Sequence, residues 1–121
     1  MNVLIVESQH ELGTIWQRHL ERQGMTVALV ADQDSAIAHI DSVPTDIIVL
    51  NLVLKEGAAL AISDYANYRL PDARVVFVTN TTFFSDGSIF EHAPNARAFV
   101  PSDTAPEDLA AMIEHYGAEV S

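Results

Sequence analysis

The sequence contains no cysteine, which excludes disulfide bridges, thiolate nucleophiles and cysteine-held zinc or iron–sulfur centres. Positive charge is scarce: Lys and Arg number 6 against 17 Asp and Glu, so the formal net charge is −11. Binding to nucleic acid phosphates requires a basic surface, so no nucleic-acid partner is expected. Long apolar runs are also absent. The stretch 47–54 is interrupted by Asn51 and is far shorter than the roughly 18 residues of a membrane-spanning helix.

What remains is a short chain rich in apolar residues. With 121 residues and 49% apolar side chains, it suits one compact domain over residues 1–121. No basic segment precedes a long apolar run at the start, so no secretory signal is predicted. The five histidines do not show the spacing of metal ligands. We therefore expect a cytoplasmic protein with no membrane association and no bound metal.

Short β-branched runs alternate along the chain with segments of helical periodicity. This alternation is typical of a parallel sheet with helices on both faces. Most of the runs are almost continuously apolar, as strands buried on both sides are. The predicted strands cover residues 3–6, 26–30, 46–50, 74–79 and 96–100.

The first helix is predicted from its apolar spacing. Leu12, Ile15, Trp16 and Leu20 share one face of a helix that ends at Gly24. A second helix is expected after a cap at either Asp32 or Asp34, and a third over residues 57–70, because Pro71 disfavours helical geometry before it.

The end of the chain carries the strongest helix signal, after only a brief helical pattern over residues 88–92. Thr104 and Glu107 match a capping box, and Pro106 suits the first turn. The predicted inner face of this last helix consists of Leu109, Met112 and Ile113.

Polar side chains follow the predicted strands. In an open parallel sheet, ligands bind beyond the carboxyl ends of the strands, near the point where the strand order reverses. The residues at those ends are Glu7 and Ser8, Asn51, Thr79 and Asn80, and Ser102 and Asp103.

Several segments with these spacings match one family. The first strand with Glu7 and Ser8, the third strand ending at Asn51, the fourth ending at Thr79, and the run 106–109 all have counterparts there. Along nearly all of its length the chain resembles the receiver domain of two-component response regulators, the family of the chemotaxis receiver. The resemblance implies a doubly wound, flavodoxin-like α/β fold: a three-layer sandwich around five parallel strands in the order 2-1-3-4-5.

The chain departs from this family where the family's chemistry lies. In receivers, two carboxylates after the first strand and an aspartate after the third hold Mg²⁺, the aspartate takes up a phosphoryl group, and a lysine follows the fifth strand. Here the acidic pair is Glu7 and Ser8, the phosphoacceptor position is Asn51, and Ser102 takes the place of the lysine. The only lysine is Lys55.

The physical consequences of these replacements are clear. A neutral amide is a poor nucleophile, so Asn51 is not expected to form an acyl phosphate. Near a dielectric of 20, one unit-charge pair at 4 Å is worth roughly 4 kcal/mol, so losing two of three carboxylates weakens a divalent-ion site severely. Mg²⁺ binding is therefore expected to be weak or absent. The sequence predicts a degenerate receiver that is not an enzyme and has no cofactor.

The resemblance also implies a mode of action through protein partners. Thr79 and Phe99 match the family's switch pair, and Phe83 and Phe84 are aromatic residues in a polar segment. The implied interaction face, formed by the fourth predicted helix, the fifth strand and the last helix, carries Phe83, Phe84 and Phe99. The implied partner is a histidine kinase, an output domain or a second copy of the chain as a homodimer.

Two other functions remain open at this point. The first is that of a receiver phosphorylated at another acceptor such as Ser8. The second is that of a flavodoxin-like domain that binds a small ligand. The sequence shows no glycine-rich phosphate loop in support of the second.

Overall fold

The computed structural model describes residues 1–54, 57–79 and 96–118, with the backbone alone for 96–99 and 118. Within these ranges the chain forms a parallel sheet of five strands in the order β2-β1-β3-β4-β5, as predicted. The strands are β1 (Asn2–Val6), β2 (Thr26–Val30), β3 (Ile47–Asn51), β4 (Arg74–Thr79) and β5 (Ala96–Pro101).

The helices in the described ranges lie on both faces of this sheet. They are α1 (His10–Arg22), α2 (Gln33–Ser42), α3 (Ala59–Arg69) and α4 (Pro106–Ala118), the last helix. Successive strand residues point to opposite faces, so the apolar strands supply two cores. One core packs Leu4, Leu50 and Phe77 with α2 and α3, and the other packs Ile5 and Val49 with α1 and α4.

Both ends of the first βα unit follow from local chemistry. Gly24 has φ 87°, and the bonds Gly24 N–H to Glu21 and Met25 N–H to Leu20 close α1 as a Schellman motif. The cap of α2 is Asp32, one of the two predicted candidates, and its carboxylate accepts from the Ser35 N–H at 2.8 Å. The backbone and side-chain hydrogen bonds from Ser35 lower the pKa of Asp32.

One backbone carbonyl of the edge strand β2 bonds to a side chain of α1. Val27 and Leu29 alternate with the residues whose backbone bonds to β1, so their carbonyls face away from the sheet. The side-chain amide of Gln17 on α1 donates to the Val27 carbonyl at 3.4 Å. One backbone group at this edge is thus partnered by a side chain.

Several predicted boundaries differ from the structure. β3 runs from Ile47 to Asn51 rather than over 46–50, and α3 covers Ala59–Arg69 rather than 57–70. The predicted capping box is wrong: the Leu109 N–H bonds to the Ala105 carbonyl, so Ala105 is the N-cap of α4. Thr104 instead donates its hydroxyl proton to the Pro101 carbonyl at 2.6 Å.

The prediction that Ile15 faces the core is also wrong. Trp16 and Leu20 are buried at 1% exposure, whereas Ile15 is 45% exposed. A residue one position before Trp16 is rotated by about 100° around the helix axis, so it lies beside the buried stripe. Met112 is partly buried against the core between the sheet and helices α1 and α4, as predicted.

The described residues contain no helix long and apolar enough to cross a membrane. The predicted helical pattern at 88–92 lies outside the described residues, as do Lys55, Asn80, Phe83 and Phe84.

These burial differences give a matched pair of variants on one helix. Leu20→Ala removes a fully buried side chain and should lower the free energy of unfolding by about 2–5 kcal/mol. Ile15→Ala should change it by less than about 0.5 kcal/mol. Urea unfolding followed by circular dichroism measures both. Equal losses for the two variants would contradict the placement of α1.

Candidate functional site

The carboxyl ends of β1, β3, β4 and β5 lie side by side at one end of the sheet. Val6 pairs with Leu50, Asn51 with Val78, and Thr79 with Pro101. The strand order reverses between β1 and β3, because β2 lies on one side of this pair and β4 on the other. The carboxyl ends of β1 and β3 are therefore where an open sheet of this order binds ligands.

Glu7 follows β1 directly and is only 2% exposed, an unusual position for a carboxylate. Its Oε1 accepts from the Gln9 N–H at 2.9 Å, and its Oε2 accepts from Asn51 Nδ2. A carbon added at Gly13 would lie 2.6 Å from Leu29 and 3.4 Å from the Glu7 Cβ. The absent side chain at Gly13 thus lets α1 pack tightly over Glu7.

Asn51 is the last residue of β3 and uses both ends of its amide. Its nitrogen donates to Glu7, and its oxygen accepts from the Val53 N–H at 2.8 Å. The amide therefore links the turn after β1 to the turn after β3. A carboxylate at this position has no proton to donate to Glu7, so the link depends on an amide.

A cavity of about 250 Å³ opens between these turns. It brings together four of the predicted site residues: Glu7, Ser8, Asn51 and Ser102. Its described lining also includes four residues that were not predicted: Gln9, Leu12, Val53 and Leu54. These four residues are distant in sequence and line one cavity at the strand ends, and their role as a functional site stays a prediction.

Glu7 is the one ionisable residue in this described lining. Ser8 donates its hydroxyl proton to the Ala31 carbonyl at 3.1 Å, and Asp103 is exposed and is not part of the lining. No group of three or more His, Asp or Glu residues suited to a metal occurs among the residues the structure describes. Glu7 thus supplies the single carboxyl group of the described lining.

One of the two predicted switch residues, Thr79, lies beside this cavity. Thr79 ends β4 and is buried at 2% exposure, and its carbonyl accepts from the Ser102 N–H at 2.8 Å. Phe99 lies on β5 opposite Phe77, but its side chain lies outside the described part, as do Phe83 and Phe84. Their assignment to a switch or an interaction face stays a prediction.

Two backbone groups of the site escaped sequence reasoning. The N–H groups of Gln9 and Val53 each bond to the side chain two residues earlier, on Glu7 and Asn51. For asparagine this is the Asx-turn arrangement, which commonly begins a turn. An Asn at the end of a predicted strand is therefore a signal that residue i+2 lies at the site.

Solved structures show what this fold resembles. A CheY-like response regulator receiver domain protein from Methanospirillum hungatei matches with a TM-score of 0.90 and 19% identity, over 98% of this chain and 94% of that one. The signal receiver domain of a putative Luxo repressor protein from Vibrio parahaemolyticus matches at 0.87 and 17%, over 98% and 91%. The chain has the receiver-domain fold.

A third match is a phosphorylated response regulator. A response regulator from Burkholderia pseudomallei, solved with a phosphorylated aspartic acid and a calcium ion, matches with a TM-score of 0.83 and 20% identity, over 98% of this chain and 69% of that one. No protein-family model matches the sequence, and no curated protein sequence is similar to it. The likeness to receiver domains is therefore one of fold.

The amide link predicts the effect of a carboxylate at the end of β3. Asn51→Asp removes the donor to Glu7 and places two carboxylates in one buried site, so we expect a loss of about 1–3 kcal/mol in unfolding free energy near neutral pH. Two carboxylates so close repel each other, and protonation at low pH relieves the repulsion, so the loss should shrink as the pH falls.

Thermal or urea unfolding at several pH values measures this effect. Asn67→Asp, the same change at an exposed position on α3, is the matched control and should have little effect. A pH-independent loss in Asn51→Asp would contradict the described hydrogen bond between Asn51 and Glu7.

Proposed function

We propose that this chain is a degenerate receiver domain of two-component signal transduction, which binds a protein partner without being phosphorylated at the end of β3. The observation that carries the proposal is the hydrogen bond from Asn51 to the buried Glu7 at the β1/β3 edge. The fold and the place of this pair in it support a receiver origin. The amide supports the loss of the receiver's reaction.

The reaction needs a nucleophile that this site lacks. A carboxylate attacks phosphorus with its negative oxygen and forms an acyl phosphate. The Asn51 amide is neutral, and its oxygen already accepts the Val53 N–H. Phosphoryl transfer relies on positioning and on charge stabilisation, so a neutral group held in this way is unsuited to it.

The described lining of the cavity lacks the remaining charges of the reaction. Ser8 and Ser102 line the cavity at the positions where the family resemblance implies an acidic residue and a lysine. With Glu7 as the single carboxylate of the described lining, Mg²⁺ would have to give up strongly held waters for one charged ligand. The residues present do not fit the family's metal, and we expect weak binding at most.

The proposed activity is therefore association with another protein. The resemblance to receivers points to a histidine kinase, an output domain or a second copy of the chain, bound through the face that carries Phe83, Phe84 and Phe99. A formal net charge of −11 is unfavourable for nucleic acid. We propose a cytoplasmic, non-enzymatic adaptor.

Intact mass spectrometry tests the proposal directly. After incubation with a small-molecule acyl phosphate and Mg²⁺, the wild-type chain should show no stoichiometric phosphate adduct. The variant with Ser8→Asp, Asn51→Asp and Ser102→Lys restores the missing groups. It should gain a phosphate adduct that is stable in mild acid and lost in base, because acyl phosphates are hydrolysed by base. Circular dichroism confirms that this variant folds.

A stoichiometric adduct on the wild-type chain would overturn the proposal. If Ser8→Ala then removed the adduct, the domain would be a receiver with a serine acceptor. A tightly bound flavin or nucleotide in the purified protein would instead favour the small-ligand function.

Partner binding is tested by affinity capture from the native cell. Phe84→Ala and Phe99→Ala should each reduce recovery of the partner at least about tenfold if these rings are central to the interface. Tyr68→Ala removes an aromatic ring that is 79% exposed on α3, outside the proposed face, and is the matched control. Unchanged recovery with both phenylalanine variants, in folded proteins, would contradict the proposed face.

A further inference from the structure

The buried carboxyl group of Glu7 has no cationic counterpart among the described residues that line its cavity. Its two hydrogen-bond donors, the Gln9 N–H and the Asn51 amide, are both neutral. A buried carboxylate is favoured by such bonds, and it is favoured more strongly by a positive charge within contact distance. The cavity of about 250 Å³ beside it leaves space for a charged group from outside.

The walls of the cavity indicate the shape of that group. Glu7, at 2% exposure, is the buried end, and Val53, at 62% exposure, is the outer end. Leu12 and Leu54 are partly buried apolar residues in the same lining. A ligand with an apolar stem and a cationic head fits this order, because the stem contacts the aliphatic walls while the head reaches the carboxylate.

The hydrogen-bonding groups favour an organic cation over a metal ion. Asn51 presents its NH₂ group to Glu7, and its oxygen accepts from Val53, so this side chain is not arranged as a metal ligand. A guanidinium group carries five N–H donors in a plane, is more weakly hydrated than an ammonium group, and pairs well with carboxylates. Glu7 and the serine hydroxyls are suitable acceptors for it.

We propose that the cavity binds the guanidinium head of an arginine side chain presented by a protein partner. This inference rests on the proposed function, since it names the chemistry by which the partner engages the former phosphorylation site. The formal net charge of −11 attracts basic partners at long range, and the cavity supplies the short-range contact.

The test is a titration followed by ¹H–¹⁵N NMR at constant ionic strength. The probes are methylguanidinium chloride and methylurea, which is planar but uncharged. Methylguanidinium should shift the resonances of the Gln9 and Val53 N–H groups and of the Asn51 side-chain amide in a saturable manner, with Kd on the order of 1–10 mM. Methylurea should bind at least about tenfold more weakly.

Two variants localise the binding. Glu7→Gln keeps the shape of the side chain and removes its charge, so it should weaken methylguanidinium binding by about tenfold or more. If Glu7→Gln does not fold, Ser102→Leu serves in its place. This change adds bulk to the half-buried wall of the cavity and leaves the Glu7 side chain unaltered. Equal binding by the wild type and a folded cavity variant would overturn the inference.

Further arms identify the source of the cation. A capped Gly-Arg-Gly peptide should bind more tightly than free arginine, whose charged ammonium and carboxylate groups are costly to desolvate at the cavity, and the reverse order would overturn assignment to a protein partner. If methylguanidinium binds only after Lys55→Gln, the chain supplies its own cation and the inference fails. Saturable binding of MgCl₂ at the same resonances at lower concentration would also overturn it.

The failure of this inference is distinguishable from failure of the proposed function. Absence of methylguanidinium binding leaves the phosphorylation result unaffected, since the mass measurement uses no guanidinium. A phosphate adduct on the wild-type chain overturns the proposed function whatever the titration shows.

Discussion

The hydrogen bond between Asn51 and Glu7 joins the two central strand ends of the sheet. Glu7 lies in the turn between β1 and α1, Asn51 ends β3, and each side chain also accepts a backbone N–H two residues further along. The same contact therefore shapes both turns and keeps a buried carboxylate hydrogen-bonded. A neutral amide thus joins these two strand ends within the chain itself.

The residues of this site are separate from those that build the fold. The sheet order and the two helical layers depend on apolar strand residues such as Leu4 and Val49, which do not take part in the site. Site residues can thus change while the scaffold remains. The TM-score of 0.90 at 19% identity is an instance of the same separation: the backbone is shared although most side chains differ.

The parallel sheet and the meeting of the strand ends could be predicted because they follow from periodicity and from the geometry of parallel sheets, whereas the strand order was implied by the resemblance to receivers. The failures have local causes. Thr104 and Pro106 give competing signals for the start of α4, and the preference of proline for the first helical position places the N-cap at Ala105. Ile15 satisfies the spacing of a buried stripe but lies at its side. The link between Glu7 and Asn51 depends on side-chain rotamers and on amide orientation, which no residue pattern encodes.

The side chain of Gln17 has a consequence for how copies of the molecule can meet. A sheet edge with unpaired backbone groups is a template for strand addition, and proteins commonly obstruct such edges. β2 is five residues long, and one of its outward carbonyls, that of Val27, already accepts from Gln17. An incoming strand would have to displace the Gln17 side chain to continue the sheet. Addition of a strand from another copy is thereby disfavoured at β2.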